Sequence, residues 1–418
     1  MSLFVQNAQL DGDTVGLRVE QERIAALGAG VEAASDDEVI DAGGMALLPG
    51  LVNGHTHAAM TLMRGYGGDL PLMKWLQDKI FPVEAKLTAD DVYWGTRLAC
   101  VEMIRSGTVR FWDMYWQPGA VARAVEDAGI RASVALPLVD LLDADKSDAL
   151  RADAERSLDA LADAGPRITP TLGPHSIYLV SEKSLHWIAD LSSERDLRVQ
   201  IHLSETEGEV RDCVAAHGLR PAPYLDRVGA LTPRTILAHG VWLDDDELAL
   251  VAERGATVVT NPVSNLKLAV GGVFPYAKAR EHGIPVGLGT DGASSNNSLD
   301  LFQDVKHLAL VQKHAERDPA AMPATEAWAV ATGQRAPALG QPGRLEVGEA
   351  ADFLLVRSNA PELTPGDLTA NLVYAAAGAV VDTTVVAGRV LMRGGEIGDE
   401  DEVRNGALAS ARRLGVIG

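Results

Sequence analysis

Two cysteines in 418 residues, Cys100 and Cys213, are too few to staple a fold or to build a thiolate metal centre. Each reads as a small buried apolar residue, and a reducing cytoplasm suits both. Lysine is also scarce, 9 against 28 arginines, and 58 acidic residues bring the formal net charge to −21. Binding nucleic acid or an anionic membrane needs cationic side chains to neutralise phosphates, so this balance speaks against either partner. The acidity itself reads as a trait of the genome or of a saline cytoplasm. No run of about 18 apolar residues is present to span a bilayer. No basic stretch followed by an apolar one opens the chain as a signal peptide would. A soluble cytoplasmic protein is expected.

What is present is a globular composition, 47% hydrophobic and 23% charged, long enough for one large domain and a smaller one. Residues 1–49 read as short strands, LFVQNAQL and VGLRVEQERIAALG, broken by Asp-Gly and Gly turns. Residues 346–418 are similar, with DFLLVRS, VDTTVVAGRVLMRGG and a final Ala/Arg-rich helix. Neither end can bury a core alone, so together they predict one small β-sandwich-like domain. Across residues 50–345 short β-branched runs recur: LLPGLVNGHTH, TVRFWDM, RASVALPL, ITPTLGPHS, RVQIHLSE, TILAHG, TVVTNP and IPVGLGTD. Helical stretches such as ADDVYWGTRLACVEMIRSG and DDDELALVAERG separate them. Eight strands alternating with helices predict a (β/α)8 TIM barrel rather than an open sheet.

The ionisable residues gather at one place in this pattern. His55 and His57 end the first predicted strand, His175 the fourth, His202 and Glu205 the fifth, His239 the sixth and Asp291 the eighth. In a (β/α)8 barrel these C-terminal strand ends form the catalytic face. His-x-His on a strand sets both imidazoles on one side, because side chains alternate with period two. Alone that motif arises by chance, and a lone core histidine is the commoner outcome. With His202 and Asp291 it becomes a mixed nitrogen and oxygen set that suits zinc or ferrous iron and leaves a position for water. A divalent ion lowers the pKa of such a water to about 7. Glu205, just beyond the strand, can reach the mouth without ligating. Asp291 can accept a proton from the water, and His239 can hold or polarise it. The plain alternatives are a solvated loop carboxylate for Glu205 and a backbone-bonded core histidine for His239.

PGLVNGHTHAAMTLMRG, GPHSIY, HLSET, NPVSNLKL and LGTDGASSNNSLDLF resemble successive motifs of the 5-methylthioadenosine/S-adenosylhomocysteine deaminase family. That family lies in the mononuclear deaminase and triazine-hydrolase branch of the amidohydrolase superfamily, and the likeness spans nearly the whole chain. The resemblance implies a hydrolytic deaminase of an adenine nucleoside, with one zinc or iron held by His55, His57, His202 and Asp291. It implies catalytic roles for Glu205 as proton donor to the purine ring, for Asp291 as base, and for His239 beside the hydrolytic water and near the metal. It implies Glu84 as the grip on ribose hydroxyls, Trp75 as a wall of the pocket and His175 as a further substrate contact. Packing inside a helix is the plain alternative for Trp75, and a surface carboxylate ahead of a cap at Thr88 for Glu84. The absence of a lysine at the fourth strand end favours one metal over two.

One departure bears on substrate. The family places an arginine after the third strand, where this chain has Leu136 and Pro137, with Arg151 as a loosely aligned substitute. A substrate carboxylate wants a guanidinium, so S-adenosylhomocysteine fits less well than adenosine, 5′-deoxyadenosine or methylthioadenosine. Competing readings are a guanine, pterin or triazine hydrolase of the same branch and, from another class, a non-catalytic scaffold. A homo-oligomer is expected.

Overall fold

In the computed structural model, which describes residues 2–70, 72–341 and 343–417, the β-branched runs form eight parallel barrel strands. They are Leu51–Thr56, Thr108–Met114, Arg131–Ala135 continued by Pro137–Leu138, Ile168–Pro170 continued by Gly173–Pro174, Val199–Leu203, Thr235–His239, Thr257–Thr260 and Val286–Leu288. The first four pair in sequence order, as do the last four. Pro137, Pro170 and Pro174 have no N–H to give a ladder, which is why the third and fourth strands are each broken in two.

Two seams close the barrel. Leu172 and Ser176 of the fourth strand segment bridge in parallel to Val199 and His202 of the fifth. At the other seam Asp291 N donates to His55 O at 2.9 Å. Gly289 makes that approach possible, since a Cβ there would stand 2.9 Å from His55 N and 2.3 Å from Asn261 Oδ1. The fifth and sixth strands are buried at every residue, as a parallel sheet covered on both faces should be. Helix starts follow sequence signals: Thr88 caps Ala89–Arg105 in a reciprocal capping box with Asp91.

Strands from both chain ends join in one eight-stranded sheet. Its central join is antiparallel, Phe353–Arg357 running along Met45–Pro49 from Phe353 opposite Pro49 to Arg357 opposite Met45. Leu17, Leu47, Phe353 and Val385 centre the separate apolar core beneath it. Buried Asp352 ties this sheet to the barrel through Arg131, 2.7 Å away. The final helix, Glu400–Leu414, does not lie with those strands, although it follows them in sequence. It packs along Ala89–Arg105 of the barrel, held by Arg97–Asp399, Arg105–Glu400 and Arg413–Asp91 pairs. Both cysteines are free and buried. Among the described residues no helix is long and apolar enough to cross a membrane.

Candidate metal centre and active site

The first, fifth, sixth and eighth strands deliver their terminal side chains to one point. His55, His202, His239 and Asp291 each place a donor atom within 4.8 Å of the others, all four buried. His57 Nε2 joins them 3.2 Å from His202 Nε2 and 3.3 Å from Asp291 Oδ1. His55 Nε2 lies 3.5 Å from the same carboxylate oxygen. Sharp turns off the strands aim these groups. His239 and Asp291 adopt left-handed backbone at φ 75° and 62°, which costs a non-glycine residue about 1–3 kcal/mol and is retained mainly at functional sites.

The nitrogen lone pairs show what belongs at that point. His57 Nδ1 lies 2.7 Å from Met114 O, and His202 Nδ1 lies 2.6 Å from His175 O. A carbonyl only accepts, so both Nδ1 atoms carry a proton, and when the rings are neutral both Nε2 atoms present lone pairs to each other. Two facing lone pairs 3.2 Å apart repel, and a cation between them turns that repulsion into ligation. Donors about 2.0–2.1 Å from a tetrahedral ion stand roughly 3.3 Å apart, which matches the spacings of 3.2, 3.3 and 3.5 Å here. Buried His55 Nδ1 and Nε2 have no hydrogen-bond partner among the described residues, as suits a side chain whose partner is a metal. The residues therefore fit a divalent cation.

Titration agrees in direction for His55, His175 and His202. Burial drives His55 down to about 4 and His175 down to about 3, which keeps both rings neutral. Burial also lowers His57, but Asp291 beside it more than compensates and lifts it to about 9. A proton there competes with a cation for the same lone pair. Against the upward push of burial, His55 and His57 hold the Asp291 carboxyl well below the usual range. Glu205 has no such counterweight of comparable size, and burial raises it. Burial raises Glu84 as well, with Tyr115 and Trp116 acting against the shift.

Beside the donors opens a cavity of about 440 Å³. His57, His175, His202, Glu205, His239 and Asp291 line it, together with Trp75 and Glu84. His55 lies behind the others, 1% exposed. The segment from Leu72 to Ala85, which carries Trp75 and Glu84, covers the cavity rather than standing clear of it. Glu205 lies 4.0 Å from His239. Arg151 is not part of the cavity: its guanidinium lies over the Trp187 ring, 5.4 Å from the centroid, in the outer helix layer. Where the third strand ends, Pro137, Val139 and Leu141 face the cavity, and none of its lining residues is lysine or arginine.

Several residues here escaped the sequence reading. Ser264 and Ser295 hydroxyls donate to Asp291 Oδ2 at 2.7 and 2.9 Å, leaving Oδ1 to face the histidines. Asn265 Oδ1 accepts from His239 Nδ1 at 2.8 Å and so turns a bare Nε2 toward the donor cluster. Ser264 and Asn265 lie in the quoted NPVSNLKL motif, so a signal existed, but nothing in the linear order said which side chain each would meet.

The sequence profile of the amidohydrolase family matches residues 46–391. A 5′-deoxyadenosine deaminase of Methanoregula boonei is 50% identical over 383 residues, covering 90% of this chain and 86% of that one. The 5-methylthioadenosine/S-adenosylhomocysteine deaminase 1 of Archaeoglobus fulgidus is 42% identical over 388 residues, covering 92% and 91%. Among solved structures, an adenosine deaminase from Xanthomonas campestris with bound zinc superimposes with a TM-score of 0.91 at 33% identity, covering 99% of both chains. Strand order, strand-end donors and the matched length agree: the chain belongs to the amidohydrolase family.

Proposed function

We propose that this protein is a metal-dependent hydrolase that deaminates adenine nucleosides to the corresponding inosine compounds and ammonia. One observation carries the reading: a buried His/Asp donor cluster, a burial-raised carboxyl at Glu205 and a second carboxylate at Glu84 share one cavity. Deamination of adenine nucleosides, the activity named for the relatives, is the chemistry this set of groups fits. The chain then divides into a catalytic barrel over 50–345 and a composite β unit from 1–49 and 346–418, whose final helix packs back on the barrel.

His55, His57, His202 and Asp291 would hold the ion, zinc in this proposal, and His239 stands close enough to share in ligation. When bound, the ion supplies a water acidic enough to serve as nucleophile near neutral pH. Asp291 would take the proton from the attacking water and pass it to the departing amine. Ser264 and Ser295 keep the Asp291 carboxylate in one orientation throughout. Glu205 gives its proton to the ring nitrogen next to the attacked carbon, relieving the charge that builds there, and regains one from the adduct oxygen as that oxygen becomes the carbonyl. His239, locked in one tautomer by Asn265, points Nε2 at the oxygen that becomes the product carbonyl. Glu84 accepts the ribose hydroxyls, Trp75 walls the pocket and His175 contacts the substrate. A bare guanine, pterin or triazine ring would leave Glu84 without a partner, which disfavours those substrates.

Three carboxylates and no cationic side chain line the cavity besides its histidines. A hydrogen bond to a charged group contributes about 1.5–3 kcal/mol, and here a substrate carboxylate would lose its hydration with no such bond in return. An ammonia-release screen should therefore give kcat/KM values about 10- to 100-fold higher for methylthioadenosine and 5′-deoxyadenosine than for S-adenosylhomocysteine. Equal values would sink the specificity argument. No release from any adenine nucleoside would sink the proposed function.

A further inference from the structure

Glu209 is a buried carboxylate outside the cavity lining, with both oxygens committed to one short stretch of backbone. Its Oε1 accepts from Ser204 N and its Oε2 from Glu205 N, each at 2.8 Å. Glu209 lies in the first turn of helix Glu207–His217, and its own N–H donates to the hydroxyl of the capping residue Thr206 at 3.1 Å. The loop between the fifth strand and this helix is thus closed twice, by a carboxylate reaching back and a hydroxyl reaching forward. From the other side, Trp242 N donates to Ser204 O at 2.9 Å. Ser204 itself is held at φ 52°, left-handed backbone that a serine adopts only when its surroundings impose it. These contacts fix the direction in which residue 205 leaves the strand.

We propose that Glu209 is a positioning residue for Glu205, a two-armed clamp on its backbone that aims the Glu205 carboxyl at the substrate ring. This rests on the reading of Glu205 as the proton donor. The chemistry of the clamp demands a carboxylate, because two neighbouring N–H donors need two acceptor oxygens. A glutamine offers one acceptor and turns a second N–H group toward the remaining donor. An aspartate keeps both acceptors but is one methylene too short to reach both amides from the helix. Misplacing a reacting group by about 1 Å costs on the order of 10²-fold in rate.

The test is a double-mutant cycle on the metal-loaded enzyme, with Glu209→Gln and Glu209→Asp each measured alone and combined with Glu205→Gln. Either Glu209 variant should lower kcat for methylthioadenosine about 10- to 100-fold, with KM and metal content near wild type. On the Glu205→Gln background the same change should have almost no further effect, since a clamp on an absent donor has nothing left to aim. Equal losses on both backgrounds, or losses that track metal content, would overturn the proposal and make Glu209 a support of the fold or of His202. The aspartate variant, which retains both acceptor oxygens, carries the test where glutamine destabilises the loop. Near-normal turnover in Glu205→Gln alone would overturn the donor reading. An inactive Glu205→Gln beside fully active Glu209 variants would overturn only the clamp.

Discussion

Glu205→Gln is expected to lower kcat for an adenine nucleoside by about 10²- to 10⁴-fold while leaving metal content unchanged. The side chain is 5% exposed and lines the cavity 4.0 Å from His239, outside the group of mutually close donors. Burial raises its carboxyl, so it holds a proton further toward neutral pH than a solvated glutamate would. That proton is the one the ring nitrogen needs. Glutamine preserves the shape and can still donate a hydrogen bond but cannot release a proton, so binding should survive and turnover should not. The pH profile has a definite sign: a group that acts as an acid is competent below its raised pKa, and activity declines as pH rises through it. The variant should lack that alkaline limb. Steady-state kinetics across pH, with metal analysis of the same sample, checks both points, and a variant that turns over within a few-fold of wild type would exclude Glu205 as the donor.

Chelation should abolish turnover, and adding back a divalent ion should restore it, zinc being the ion proposed. The same treatment should lower the melting temperature. An ion that binds only the folded state at 1,000 times its dissociation constant stabilises that state by about 4 kcal/mol. Reloading should weaken as pH falls. A proton retained on His57 up to about pH 9 must leave before the nitrogen can ligate, so each unit below that value costs up to about tenfold in apparent affinity. Calorimetric scans and metal titrations at two pH values measure all of this. Full activity in metal-free protein, or a melting temperature indifferent to chelator and metal, would refute the assignment.

The barrel was legible from the chain because its signals are local. Short β-branched runs between helical stretches need only neighbouring residues to declare them, and the His55/His57 pair shares a face through simple alternation along one strand. The placement of His175, His202, Glu205, His239 and Asp291 at strand ends follows from the same pattern, and closing the barrel brings them to one cavity. Tertiary structure decided the rest, because the remaining facts are distances between residues far apart in sequence. His239 belongs to the tight donor group because the fifth, sixth and eighth strands pack at a particular register. Arg151 goes to Trp187 because its helix, Ser147–Leu161, packs against Glu182–Glu194. The last helix joins the barrel because its acidic start meets Arg97 and Arg105 and its basic end meets Asp91. Ser264 and Asn265 acquire partners only when the loops after the sixth, seventh and eighth strands converge. Periodicity along the chain determines which way a side chain points; only packing across it determines what that side chain meets.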